Sequence, residues 1–146
     1  MSPWLLTGIA AATLDLAIAS LYWMLYGVPP LRVLQSIASW VLGAPAFAGG
    51  NATALGGALL YTGLVCAQAA LYLGISRRFP VLWRKPLLCG ASYGAMMYFA
   101  VFELLVPHFT AAPAGSAPWH WALVCLFAYI GVIGIPCGLM ARRANR

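Results

Sequence analysis

Acidic residues are almost missing from this chain. Asp15 and Glu103 are the only two among 146 residues, and all charged types together make up 7%. An ordinary soluble domain is about a quarter charged, so this shortage excludes a water-soluble globular reading. Cysteine is scarce as well: Cys66, Cys89, Cys125 and Cys137 stand alone, without a CxxC pair. That gives no support to a disulfide framework or a thiol redox couple, and the four read as small apolar residues. With only His108 and His120, there is no HExxH, and no phosphate-binding loop is present either. An enzyme therefore has no positive support in these motifs. Both histidines lie away from mid-span, which argues against a haem held by two histidines inside a bundle.

What is abundant is apolar sequence. Hydrophobic residues make up 64% of the chain and mean hydropathy is +0.90. A hydrocarbon core about 30 Å thick takes roughly 20 apolar residues per helical crossing. Four segments meet that length, over 4–26, 52–75, 86–106 and 119–140. The fold class expected is all-α, a polytopic membrane protein forming one four-helix transmembrane domain over 1–146. Seven of the eight basic residues fall in two places: Arg77, Arg78, Arg84 and Lys85 between the second and third segments, and Arg142, Arg143 and Arg146 at the end. Basic residues collect on the cytoplasmic side of membrane proteins; four crossings then place both termini there. These cations flank apolar spans and do not interleave with exposed aromatics, so nucleic acid is not an expected partner. The small-residue run Ala17-Ile18-Ala19 resembles a leader cleavage site, but no basic residue precedes the apolar run and Asp15 interrupts it, so it reads as a retained first helix.

The connection between the first two spans has its own pattern. After Pro29-Pro30, Leu31, Leu34, Ile37, Val41 and Leu42 recur at helical spacing while Arg32, Gln35, Ser36 and Ser39 take other faces. This predicts a short amphipathic helix over about 30–43, lying at the outer interface or dipping partly into it. Two roles are open for it: a lid or docking element, or a connection that hides its apolar face in lipid. The other outer connection, from Pro107 to Pro118, is a short loop rich in proline, alanine and glycine.

Lipid offers no hydrophobic drive for helices to associate, so close contacts depend on small residues. Gly90 and Gly94 form one GxxxG, Gly134 and Gly138 another, extended by Gly131. Pro136 should bend the fourth span. Asp15 stands near the midpoint of the first, on a face shared with Trp4, Gly8, Ala11, Ala19, Tyr22 and Tyr26. An ionised aspartate there costs about 2.5 to 3.5 kcal/mol, so this face should point inward. It reads either as a proton or ion-coupling site or as packing glue hydrogen-bonded to a neighbouring helix. Glu103 shares a face with Ser92, Met96 and Phe99, opposite Gly90 and Gly94. It is expected to look towards the first or second span or another subunit, with the third span central. Glu103, His108 and His120 form a candidate outer-surface cluster for a metal or proton relay, weighed against histidines that belong to an aromatic belt beside Trp119 and Trp121. No metal and no cofactor is implied by these residues.

The stretch from Gly27 to Ser39, with Pro29-Pro30, Arg32 and Gln35, followed by Gly43, Ala46-Phe47 and Gly49-Gly50, resembles a family of small bacterial inner-membrane proteins with four predicted spans and no established activity. The resemblance covers most of the chain, including Asp15 and the Gly90 to Gly94 segment. It implies a bacterial inner membrane and an architecture, but no chemistry. Tyr61 stands where relatives carry a histidine, so no haem or metal role carries over. Two functions are expected to compete, the first preferred and the second its alternative. In one, the chain is a non-enzymatic membrane component that supports another membrane protein or a lipid process, with the bilayer and a homo-oligomer or larger membrane protein as partners. In the other, it is a minimal dimeric proton-coupled transporter of a small molecule, using Asp15 and Glu103.

Overall fold

The computed structural model describes residues 1–111 and 117–146. Four helices are long and apolar enough to cross a membrane: Pro3–Met24, Gly50–Ser76, Pro86–Phe109 and Trp119–Ala144. The protein is a bundle of these four spans, and the sequence boundaries hold to within a few residues. The first and third open on a proline at the first helical position, where its missing N–H would have had no partner and its fixed φ suits the helix. A short helix, Pro30–Leu42, lies between the first two spans. Large apolar side chains such as Leu14, Leu21, Leu59, Leu88 and Phe127 are exposed around the bundle, as expected of a surface solvated by acyl chains.

Small residues decide which helices touch. A side chain added at Gly90 or Gly94 would strike the backbone of Gly134 and Tyr129, and one at Gly134 or Gly138 would strike Gly90 and Pro86. The third and fourth spans are thus in backbone-to-backbone contact through both GxxxG pairs. In the first span, Gly8 packs against the Cys66 backbone, and Ala11 and Ala12 are buried beside it. Gly131 has open space around it, so it contributes no packing within the chain.

The central position belongs to the fourth span, which packs against the other three. The third was expected there. Its glycine face is its one close-packed side, and the opposite side, carrying Ser92, Met96, Phe99 and Glu103, is exposed.

The short helix forms where it was expected. It is amphipathic, but it packs across the second span, where Gly57 lets the Leu34 carbonyl sit against the span's backbone. Gln35 and Ser39 are buried, and Gln35 Nε2 donates to the Gly50 carbonyl at 3.1 Å. Leu31, Val41 and Leu42 face outward. Val33, Ile37 and Ala38 are buried as well and Arg32 is exposed, so the buried face mixes apolar and polar side chains. Gly43 ends it at φ 68°, and the Ala111 N–H donates to the Trp40 carbonyl at 2.8 Å.

Two prolines reshape the spans. Phe99–Leu105 and Tyr129–Gly134 are π-helical, and each stretch ends just before a proline, Pro107 and Pro136. Proline lacks the N–H of the α ladder and clashes with the carbonyl four residues back. Widening the preceding turn accommodates that clash, and such stretches are frequent where a helix builds a site.

Candidate functional site

Nearer the chain termini a shallow groove of about 420 Å³ separates the first and fourth spans, lined by Leu6, Ala10, Gly131, Pro136 and Arg143, and the bundle opens again at the end that carries the short helix. There a cavity of about 470 Å³ lies between the first span, the short helix and the two π-helical stretches. Its size falls within the roughly 300–1,000 Å³ of small-molecule sites. Trp23, Trp40, Phe47, Phe102 and Trp121 form much of its wall, and Asp15, Arg32, Ser36, Ser39, Tyr61 and Tyr129 supply its polar groups. The π-helical stretches place two of these residues, Phe102 and Tyr129, whose rings meet edge to face at 5.6 Å.

Asp15 is 9% exposed. The Tyr61 hydroxyl donates to its Oδ2, and the Tyr129 hydroxyl lies 3.3 Å from that of Tyr61. A phenol has one proton to give, so Tyr61, donating to the carboxylate, is left to accept from Tyr129. Three spans meet in this chain, and no Lys, Arg or His acts on the carboxylate among the described residues. Beyond it Gln68 approaches the Tyr129 hydroxyl without closing a hydrogen bond, and neither of its side-chain polar atoms has a partner.

The serines of the short helix face the cavity with their protons already used. Ser36 Oγ donates to the Val33 carbonyl at 2.6 Å, and Ser39 Oγ donates to the Ser36 carbonyl. Arg32 is exposed, with its guanidinium over the Phe47 ring at 4.7 Å from the centroid. Around Asp15 these groups offer lone pairs and aromatic faces, while Arg32 and the tryptophan indole N–H groups remain donors elsewhere on the lining.

The other residues expected to act lie elsewhere. Glu103 is exposed on the outside of the third span and does not join Asp15 at the cavity. His108 is exposed in the turn Val106–Phe109. His120 is held in an aromatic group, with Nδ1 hydrogen-bonded to the Tyr22 hydroxyl and its ring stacked on Tyr26 at 5.7 Å. Glu103, His108 and His120 therefore form no cluster, and among the described residues no three His, Cys, Asp or Glu side chains gather as a metal site. The physical reason is the outward direction of the Glu103 face.

One pattern in the chain escapes a reading by motif. Gly90-Ala91-Ser92-Tyr93-Gly94 has the GxSxG spacing of a hydrolase nucleophile elbow. In the structure it runs straight through a helix, its glycines pack on the fourth span, and exposed Ser92 donates to the Leu88 carbonyl at 2.9 Å. The strained turn that would present a nucleophile is not there.

Tyr61, Tyr129 and the inward serines were not singled out from the sequence. The one available signal for Tyr61 was its departure from the histidine of the resembling family. No protein-family model, curated protein or solved structure matches the chain.

Proposed function

We propose that the protein binds a small molecule in this cavity, with Asp15 as the ionisable group of the site, and that it acts as a minimal proton-coupled transporter. The observation that carries this reading is that Asp15 both borders the cavity and is hydrogen-bonded to Tyr61. A carboxyl serving only as glue between helices has no need of an open space beside it. One that can exchange a proton with the cavity can couple that proton to a ligand. Glu103 has no part in the site on this reading. Assembly as a dimer would supply the path across the membrane that one thin bundle lacks.

The exposed basic residues of both clusters favour a bacterial inner membrane with the two termini in the cytoplasm, in keeping with the resembling family. The alternative role, a non-enzymatic component that supports another membrane protein, draws on the open face around Gly131, where a partner helix could approach.

The deciding experiment is infrared difference spectroscopy of the protein in lipid nanodiscs across pH 5 to 8, with Asp15→Asn as control. The expected result is a carboxyl band that changes with pH and vanishes in the variant. A band fixed across the range would mean a sealed packing contact and would overturn the coupling role.

A further inference from the structure

We propose that the ligand of this cavity is a lipophilic organic cation, whose charged centre sits at the Asp15 carboxylate and whose apolar body lies among the tryptophan and phenylalanine rings. This rests on the cavity being a small-molecule site, as proposed above, and adds the ligand's chemical class.

Three independent features point the same way. The first is the charge at the floor. Asp15 is the one acidic side chain lining the cavity, and no basic group of the described residues pairs with it. An ionised carboxylate in a dry setting calls for a counter-charge, and a cationic ligand can supply it.

The second is the supply of protons. The hydroxyls of Tyr61, Ser36 and Ser39 already donate, to Asp15 and to two carbonyls of the short helix. The tryptophan indole N–H groups and the Arg32 guanidinium remain as donors at the wall and rim, so the acceptor capacity that suits a cationic centre is concentrated at the floor, around Asp15.

The third is the wall. Trp23, Trp40, Phe47, Phe102 and Trp121 present π faces or edges around one space. Aromatic faces attract weakly hydrated organic cations, while a metal ion would need several oxygen ligands in place of rings.

Arg32 is the countervailing charge. It lines the rim, with its guanidinium over the Phe47 ring, and it makes no ion pair with Asp15. The groups facing Asp15 from the other elements are Tyr61 of the second span and Tyr129 and Cys125 of the fourth, none of them cationic.

The test uses two ions of nearly the same shape and opposite charge, tetraphenylphosphonium and tetraphenylborate. Each is titrated by calorimetry into the full chain in nanodiscs, with empty nanodiscs as the reference for partition into lipid. The expected result is saturable binding of the phosphonium alone, with affinity at least tenfold lower in Asp15→Asn and retained in Asp15→Glu. Binding of the borate as tight as the phosphonium, or an unchanged phosphonium affinity in a folded Asp15→Asn protein, would overturn the charge assignment and leave a binding cavity standing. Saturable binding of neither ion would overturn the ligand class; the small-molecule site itself then stands or falls by the infrared titration. The comparison of the two ions needs only the unaltered protein, so a variant that fails to fold does not remove the test.

Discussion

The two ends of this bundle are built from opposite materials. At the end with the chain termini, Gly8, Ala11 and Ala12 bring the first span onto the second, and Gly90, Gly94, Gly134 and Gly138 bring the third onto the fourth with backbone on backbone. At the other end, apart from the Gly57 contact with the short helix, tryptophan and phenylalanine side chains line an open space of about 470 Å³. The difference teaches that the cavity is not a packing fault. Close contact at one end fixes the helices, and bulk at the other holds them apart, with the proline-linked π stretches turning Phe102 and Tyr129 towards the opening.

The sharpest way to break this contrast is to put bulk at the close-packed end. Gly134→Leu drives a side chain into the Gly90 and Gly94 backbone, which cannot yield as a side-chain tip would. Overpacking by single methylenes already costs about 1 to 3 kcal/mol, so loss of the folded bundle is expected, read as the thermal unfolding of the purified protein in detergent. Gly131→Leu, three residues earlier and in open space, should unfold within a degree or two of the unaltered chain. Equal damage from both would mean that the glycines act through helix conformation and not through contact.

A smaller effect is expected where the short helix meets the second span. Gly57→Ala places a methyl against the Leu34 carbonyl and the Ala38 N–H, and should loosen the short helix without dissolving the spans. A cysteine introduced at Ser36, which lines the cavity, should then react faster with a water-soluble thiol reagent in the Gly57→Ala background than without it. An unchanged rate would show that the helix is held by Gln35 and Trp40 rather than by close approach.

These two ends also differ in how much the sequence foretells. The close-packed end is nearly all legible, because small-residue spacing maps directly onto helix contact: both GxxxG pairs and the Asp15 face point inward as their periodicity requires. The open end is not. Hydrophobic periodicity identifies the short helix, but not that Gln35 and Ser39 are buried along with Val33 and Ile37, which depends on its packing against Gly57. Tyr61 and Tyr129 look like ordinary span aromatics until three helices bring their hydroxyls to one carboxyl. Glu103 misleads for the converse reason: a lone acid in a span suggests a partner on another helix, whereas its neighbour is Tyr98 of its own helix and it lies on the outward side.

At the cavity floor, Tyr61→Phe keeps the ring and removes the hydroxyl that donates to Asp15. Leaving a buried acceptor without its partner costs about 1 to 3 kcal/mol, so a lower melting temperature is expected together with a displaced carboxyl band in the infrared. A band unmoved by the change would mean that Asp15 takes its hydrogen bond from elsewhere.

The least effect, and the only gain, is expected at Gln68. It is 5% exposed and both of its side-chain polar atoms lack partners, a standing loss that an apolar side chain of similar size would remove. Gln68→Met should therefore raise the melting temperature, by an amount corresponding to about 1 kcal/mol, if the amide is merely tolerated. Its position beside Tyr129, at the far end of the chain that begins at Asp15, offers another reason for keeping it. If Gln68→Met stabilises the protein but weakens phosphonium binding, the amide serves the open end at the expense of the close-packed one, and the boundary between the two regions runs through this residue.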